Sequence, residues 1–125
     1  DGVLSQVGTP EEIYDNPNSI YVANRLGSPK INIFDLDKTK IPSKNKATHA
    51  GIRPEDISIT NKGNYDVYIE TVELLGAETV ISFKSDNVNG MLLTQTSVNF
   101  EEGKKIKIAL NNKKMLYFDN NGMRI

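Results

Sequence analysis

The sequence predicts a mainly β protein with two short helices near its N-terminal end. Residues 9–26 contain signals that start and stop helices, whereas residues 27–125 contain short apolar runs that Asn, Gly, Lys and Asp clusters separate at intervals of about ten residues. Short strands without long intervening helices must stack into a sandwich or close into a barrel to bury their apolar face. About seven strands in this length favour a small barrel.

The first helix is predicted by the residues that precede and open it. Thr9 is a good N-cap, Pro10 suits the first helical position, and Glu12 stands three residues after Thr9, as in a capping box. We therefore expect a short helix that begins at Pro10.

A second helix is predicted over residues 17–26. Asn16 and Pro17 repeat the order of cap and proline, and an apolar stripe then runs up to Gly27, a favourable residue after a helix end. The stripe consists of Ile20, Val22, Ala23 and Leu26. Isolated helices of this length are marginal in water, so their apolar face must pack against another part of the protein.

The predicted strands follow from runs of apolar and β-branched residues between turn signals. Pro42 and four lysines mark a solvated loop at 38–46, Asn and Gly mark turns at 61–64 and 119–122, and Gly76 with Ala77 forms a tight connection. The strands are expected at 31–36, 48–52, 67–75, 78–84, 90–96, 104–110 and 115–118, with 123–125 as a further piece.

Composition excludes several classes of protein. The 125 residues suffice for about one domain, and the net charge of −1 gives no basic surface of the size that nucleic-acid binding needs. The absence of cysteine removes disulfides and thiolate chemistry. No apolar run approaches the roughly 20 residues of a membrane span, so we expect a soluble chain. The first residues lack an initiator Met and a signal peptide, and we expect the chain to be cut from a longer protein.

The sequence supplies no group that is arranged for catalysis, cofactor binding or metal binding. The Gly-Lys-Lys at 103–105 lacks the earlier glycine and the hydroxyl of a phosphate-binding loop. The single histidine, His49, has no further ligands at metal-binding spacing, and we assign it no role. Asp35 and Asp37 come after an apolar run that ends in a turn. The sequence has no phosphate-binding loop with which such aspartates could form a site.

One basic cluster lies beside aromatic residues: Lys104, Lys105, Lys107, Lys113 and Lys114, with Tyr117 and Phe118. A small barrel can bind single strands by combining such charge with stacking. Acidic residues flank the cluster at 101–102 and 119, and alternation along a strand places Lys105 and Lys107 outward in any case. A solvated strand face is therefore the favoured interpretation.

Several passages together resemble one family. Residues 8–14 (GTPEEIY), 16–17 (NP) and 21–32 (YVANRLGSPKIN) resemble the end of the nucleotide-binding domain of sugar-type ABC importer ATPases, the maltose and glycerol-3-phosphate group. Residues 51–57 (GIRPEDI) and 73–79 (ELLGAET) resemble two motifs of the transport-associated OB (TOBE) domain that follows it. Tyr117 to Ile125 is similar to the closing motif of that family.

The resemblance implies a small OB-like β-barrel at 29–125, preceded at 1–28 by the last helices of an ATPase domain. Residues of these motifs also have structural roles that do not depend on the resemblance, because Pro54 forces Arg53 to be extended and Gly76 permits a tight turn. The barrel motifs contain Gly51, Arg53, Pro54, Glu55, Leu75, Gly76 and Glu78. The helical bridge contains Thr9, Pro10, Glu12, Tyr14, Pro17, Val22, Ala23, Gly27, Ser28 and Pro29.

The function that the resemblance implies is regulation and dimerisation of an importer's ATP-binding subunit, without catalysis by this fragment. ATP and Mg would bind the parent protein through motifs upstream of Asp1, and this fragment would hold no cofactor. The implied partners are a second copy of the subunit, membrane permease subunits and a regulatory protein, on the cytoplasmic face of the cell membrane, with no nucleic acid. The alternative is a stand-alone OB module that binds small oxyanions or single-stranded nucleic acid.

Overall fold

The computed structural model describes residues 6–86, 88–96 and 100–125. The chain divides into two compact units: unit 1 contains the described residues up to Gly51 together with Leu116–Ile125, and unit 2 is Ile52–Met115. The elements are helices α1 (Pro10–Asp15) and α2 (Ile20–Ala23), and strands β1 (Asn32–Asp35), β2 (His49–Ile52), β3 (Ile57–Ile59), β4 (Tyr65–Leu75), β5 (Glu78–Lys84), β6 (Gly90–Gln95), β7 (Lys105–Leu110) and β8 (Leu116–Phe118). Two 3₁₀ turns lie at Pro54–Asp56 and Asn112–Lys114.

Helix α1 begins as the sequence predicts. The backbone N–H of Glu12 donates to Thr9 Oγ1 at 3.1 Å, and the Thr9 hydroxyl donates to the Glu12 carboxylate at 2.9 Å. The helix ends at Asn16, whose backbone N–H donates to the Glu12 carbonyl. Asn16 therefore closes the first helix and does not open the second.

The predicted bounds of the second helix, 17–26, are wrong. The N-cap of α2 is Ser19, which is 1% exposed and whose Oγ accepts from the Val22 N–H at 3.1 Å. The helix ends at Ala23, and Arg25 donates to the Val22 carbonyl in a tighter turn. Helix α2 begins after Ser19 because the free backbone N–H groups at a helix start need a hydrogen-bond partner where water is excluded, and the buried Ser19 hydroxyl supplies one.

Unit 1 packs its apolar core on a three-stranded sheet in the order β1-β2-β8. Strands β2 and β8 are antiparallel, with Ala50 opposite Tyr117. Phe118 is fully buried in a cluster with Ala23, Ile31 and Leu116, against which Ile20 and Ile33 pack. The apolar face of α2 thus finds the partner that its length requires.

The C-terminal residues form bridges in place of the strand expected at 123–125. Met123 pairs with Ser19, and Arg124 pairs with Phe118, each as an isolated bridge. The Arg124 N–H donates to the Asn18 carbonyl at 2.8 Å, and the Ile125 N–H donates to the Tyr117 carbonyl at 3.0 Å. These hydrogen bonds hold the C-terminal residues along the start of α2 and the end of β8.

Unit 2 is a five-stranded antiparallel sheet in the order β3-β7-β4-β5-β6. The two outermost strands, β3 and β6, lie in contact with each other, so the sheet curls back on itself as in a small barrel. The register shifts between Ile69 and Thr71, and such a bulge bends a strand. The buried side chains include Val67, Ile69, Ile81, Phe83, Leu92 and Ile108. The predicted mainly β, OB-like fold is confirmed.

Most strand predictions agree with the structure to within two residues at each end, and β5 has the predicted bounds. Strand β3 was missed. It has three residues, and its pairing places Ile57 opposite Leu110 of β7. Among the described residues, no helix has the length and apolar character that crossing a bilayer requires.

Candidate functional site

Gly51 lies where three apolar side chains converge in unit 1. A Cβ added at this residue would stand 3.1 Å from Phe118 Cε2 and 3.2 Å from the Cδ1 atoms of Ile31 and Ile33. Contacts this short are tighter than a packed core ordinarily tolerates. The glycine of the first TOBE-like motif therefore lets the core close over strand β2.

The rest of that motif opens unit 2 with a 3₁₀ turn. Arg53 is extended, with φ −73° and ψ 149°, and precedes Pro54 at the first position of the turn. Arg53 is only 5% exposed, and its backbone carbonyl accepts a hydrogen bond from the Asp56 N–H at 2.9 Å. Glu55 is exposed. The motif thus fixes the backbone path from β2 to β3.

Asp56 ends this turn in an environment that disfavours its charge. Burial raises the pKa of its carboxyl above the ordinary value of 3.8, and the neighbouring charge of Glu55 raises it further. Lys114 and Arg53 lower it in part. The attraction of Lys114 and Arg53 for the carboxylate is therefore too weak to offset the loss of its hydration on burial.

The second motif forms a two-residue hairpin that projects leucines into solvent. Leu75 of β4 pairs with Glu78 of β5, and Gly76 between them has φ +76°, a conformation that glycine adopts without strain. Leu74 is 67% exposed and Leu75 is 53% exposed. We call Leu74, Leu75, Gly76 and Ala77 the hairpin tip. It presents apolar surface where a monomeric protein usually has polar residues.

An open cleft of about 420 Å³ on unit 2 contains the basic residues of β7. Lys107 Nζ donates to the Asp66 carboxylate at 2.9 Å, and Lys105 Nζ lies 4.0 Å from it. The hydrogen bond from Lys107 lowers the pKa of Asp66 below 3.8. The carboxylate offsets the positive charge, and an anion entering the cleft would have to compete with it.

The helical-bridge residues belong to unit 1 and act in packing and turns. Val22 and Ala23 are buried, Pro17 is fully buried, and Tyr14 is half-buried. Gly27 has φ +95°, and the Ser28–Pro29 peptide bond is cis. Within the described residues, no group of three or more His, Asp or Glu side chains is placed to hold a metal ion.

One known family of domains matches this chain. The sequence profile described as TOBE domain matches residues 50–118, which include both barrel motifs and all strands of unit 2. The chain belongs to the TOBE domain family. The match begins next to Gly51 and ends at Phe118, two residues that are in close contact in unit 1.

Curated relatives extend the similarity over the N-terminal helices. The TOBE chain is 36% identical to the sn-glycerol-3-phosphate import ATP-binding protein UgpC of Psychromonas ingrahamii, over 86% of the chain and 34% of that relative. It is 30% identical to the multiple sugar-binding transport ATP-binding protein MsmK of Streptococcus mutans, over 94% of the chain and 39% of that relative. The predicted resemblance to sugar-type importer ATP-binding subunits is confirmed. The chain spans about a third of the length of these relatives.

The structure separates the predicted site residues. Gly51 lies in unit 1, and the other barrel-motif residues lie in unit 2 at the 3₁₀ turn and the hairpin tip. Their functional roles, and the domain boundary at residue 28, stay predictions. Sequence reasoning missed the exposure of Leu74 and the pairing of Asp66 with Lys107. Two consecutive leucines before a glycine turn were the available signal for the exposure of Leu74. Asp66 and Lys107 are 41 residues apart and leave no local signal.

Proposed function

We propose that this TOBE chain is a regulatory and dimerisation module of the ATP-binding subunit of an ABC importer for a sugar, polyol or glycerol phosphate. The relatives that match it are named for import of sn-glycerol 3-phosphate and for multiple-sugar transport. The parent protein would bind ATP and Mg and couple hydrolysis to uptake at the cytoplasmic face of the membrane. This module would contribute no catalysis and hold no cofactor.

The hairpin tip is the observation that carries the proposal. Leu74 and Leu75 are more than half exposed, although burying a leucine fully is worth about 1.5–3 kcal/mol. A symmetric contact between two copies would use the same patch twice. Four leucines exposed to this degree would then contribute roughly 4–7 kcal/mol. The tip is thus suited to form a contact between two subunits.

The modest free energy from burying these leucines explains why such a contact would act as a tether. Association costs an estimated 4–15 kcal/mol in lost freedom of motion, so the leucines alone give a weak dimer. When the parent subunits are already held together by permease subunits, the effective concentration is high and the same contact becomes persistent. We infer that the barrel keeps two ATP-binding subunits close while their nucleotide sites open, and offers a regulatory protein a surface to bind.

Sedimentation velocity tests self-association directly. We expect the chain to shift toward a dimer as its concentration rises to the range of a weak complex, about 0.1–1 mM. The double variant Leu74→Ser/Leu75→Ser should stay monomeric throughout. The control is Val7→Ser, because Val7 is a fully exposed apolar residue of unit 1. Equal behaviour of the wild-type chain and the double variant would overturn the proposal.

The alternative, an OB module for oxyanions or single strands, rests on Lys105 and Lys107 beside the open cleft. Asp66 binds both lysines and weakens this case. Fluorescence anisotropy with a labelled oligothymidine, and calorimetry with sulfate, should give flat titrations at low salt. Saturable binding that weakens steeply with salt would favour the alternative instead.

A further inference from the structure

An open pocket in unit 1 belongs neither to the hairpin tip nor to the lysine cleft. It has a volume of about 410 Å³ and lies between the first turn of α2, the start of β2 and the turn at 120–122. Its polar lining comes from Ser19, Tyr21, His49, Asn120 and Asn121. All of these residues are in unit 1. No carboxylate and no Lys or Arg side chain of the described residues lines it, but the Arg25 guanidinium lies over the ring of the lining residue Tyr21, 5.3 Å from its centroid.

Hydrogen bonds inside the protein already engage part of this lining. Ser19 Oγ accepts from the Val22 N–H, and the Ile20 N–H donates to the Gly122 carbonyl at 2.8 Å. The Tyr21 hydroxyl accepts from Arg25 at 2.8 Å. The backbone N–H groups of Ile20 and Val22 at the start of α2 are therefore occupied.

The remaining polar groups are amides and an imidazole nitrogen. His49 Nδ1 shares a hydrogen bond with Thr48 Oγ1 at 2.8 Å, so Nε2 is the ring nitrogen that Thr48 leaves unused. Asn120 and Asn121 are exposed, and each carboxamide offers two donor hydrogens and an acceptor oxygen. Donors and acceptors thus stand together in one pocket, as hydroxyl groups require, because each hydroxyl both donates and accepts.

The turn that carries the two asparagines is rigidly held. Asp119 Oδ1 accepts from the N–H groups of Asn121 at 2.9 Å and Met123 at 3.0 Å, and the Asp119 N–H donates to the Met123 carbonyl at 2.8 Å. The Gly122 carbonyl accepts from Ile20, which ties the turn to α2. A lining that is fixed before binding lowers the entropic cost of holding a small ligand.

The geometry points to a binding site for a small polyhydroxylated molecule, a polyol or a saccharide, between Tyr21, His49 and the Asn120–Asn121 turn. The mixture of donors and acceptors suits hydroxyl groups. This site does not depend on the self-association proposed above, because it lies in unit 1 and the hairpin tip lies in unit 2.

Amide NMR spectra of the 125-residue chain, titrated with sorbitol and with maltose, test the site. We expect saturable shifts at residues 19–21, 49 and 120–122 with at least one of the two probes, and a dissociation constant of about 1 mM. Sorbitol alone would assign an open-chain polyol, and maltose alone a saccharide.

Variants decide whether the pocket itself binds. Asn121→Ala and His49→Ala should each weaken binding about tenfold, the effect of one lost hydrogen bond to a ligand. The control is Asn112→Ala, an exposed asparagine in the 3₁₀ turn of unit 2. The spectra of the variants show directly whether each remains folded. Unsaturable shifts with both probes, or binding by Asn121→Ala equal to that of the wild-type chain, would each overturn the assignment.

Discussion

Gly63 lies so close to Ile108 that no side chain fits between them. A Cβ at residue 63 would stand 2.3 Å from the carbonyl oxygen of Ile108 and 2.5 Å from its carbonyl carbon. Ile108 pairs with Tyr65 of β4 and with Ile59 of β3. The turn between β3 and β4 therefore passes directly over the backbone of the strand that joins them, and only glycine permits this path.

Replacing Gly63 with alanine should be strongly destabilising. The contact is with backbone atoms, which cannot rotate away, so β7 or the turn must shift and the unfolding free energy should fall by about 3 kcal/mol or more. The matched control is Gly103→Ala. Unlike Gly63, Gly103 has a left-handed backbone conformation, with φ +85°, and its Cβ would meet nothing within 4 Å, so about 1–2 kcal/mol is expected from backbone strain alone. Urea unfolding of both variants measures the difference, and equal losses would contradict it.

The two helix caps should differ in their contribution to stability. Ser19 is buried and Thr9 is exposed, although each accepts a backbone N–H of its helix at 3.1 Å. Ser19→Ala leaves the Val22 N–H without a partner away from water and should cost about 2 kcal/mol, whereas Thr9→Ala should cost about 0.5–1 kcal/mol. Thermal or urea unfolding compares them. A Thr9 variant that is the less stable of the two would refute this ranking.

The Asp66–Lys107 pair should shift a measurable titration. The Lys107 hydrogen bond lowers the pKa of Asp66 below 3.8, so the stability that this carboxylate contributes is present above pH 3.8 and is lost as the pH falls through the folded-state pKa. Lys107→Gln should raise the Asp66 pKa toward its ordinary value, as followed by carbon NMR of the carboxyl. The control Lys84→Gln removes the partner of Glu70 and should leave Asp66 unchanged. An unaltered Asp66 titration in the Lys107 variant would disprove the pairing.

Asp56 should have the opposite dependence on pH. Burial raises its pKa above 3.8, so its favourable contribution is fully present below pH 3.8, where the group is neutral, and is lost as the pH rises through the folded-state pKa. Asp56→Asn should therefore stabilise the chain at pH 7 relative to the wild type, and the gain should shrink toward pH 3. Urea unfolding at both values measures it, with the exposed Glu102→Gln as control. A gain that grows on acidification is the contrary result.

Local patterns predicted the parts of the fold that depend on neighbouring residues. Alternation and the Gly76 turn predicted the β4–β5 hairpin, and Thr9 with Glu12 predicted the start of α1. Strand β3 escaped prediction because it is short and is stabilised by pairing with β7, about 50 residues away. The second helix was placed too early because the burial of Ser19 is a tertiary property. The Asp66–Lys107 contact and the Gly63–Ile108 approach are also long-range and leave no local signal.

The central claim is that two copies of this TOBE chain meet through the hairpin tip. The sequence has no cysteine, so Leu75→Cys introduces a single thiol at the tip, and Lys62→Cys introduces an exposed one in the turn beside Gly63. A disulfide requires Cα atoms within about 7 Å of each other. The account predicts that mild oxidation converts the Leu75→Cys chain to a covalent dimer much faster than the Lys62→Cys chain. Equal rates for the two variants would contradict it.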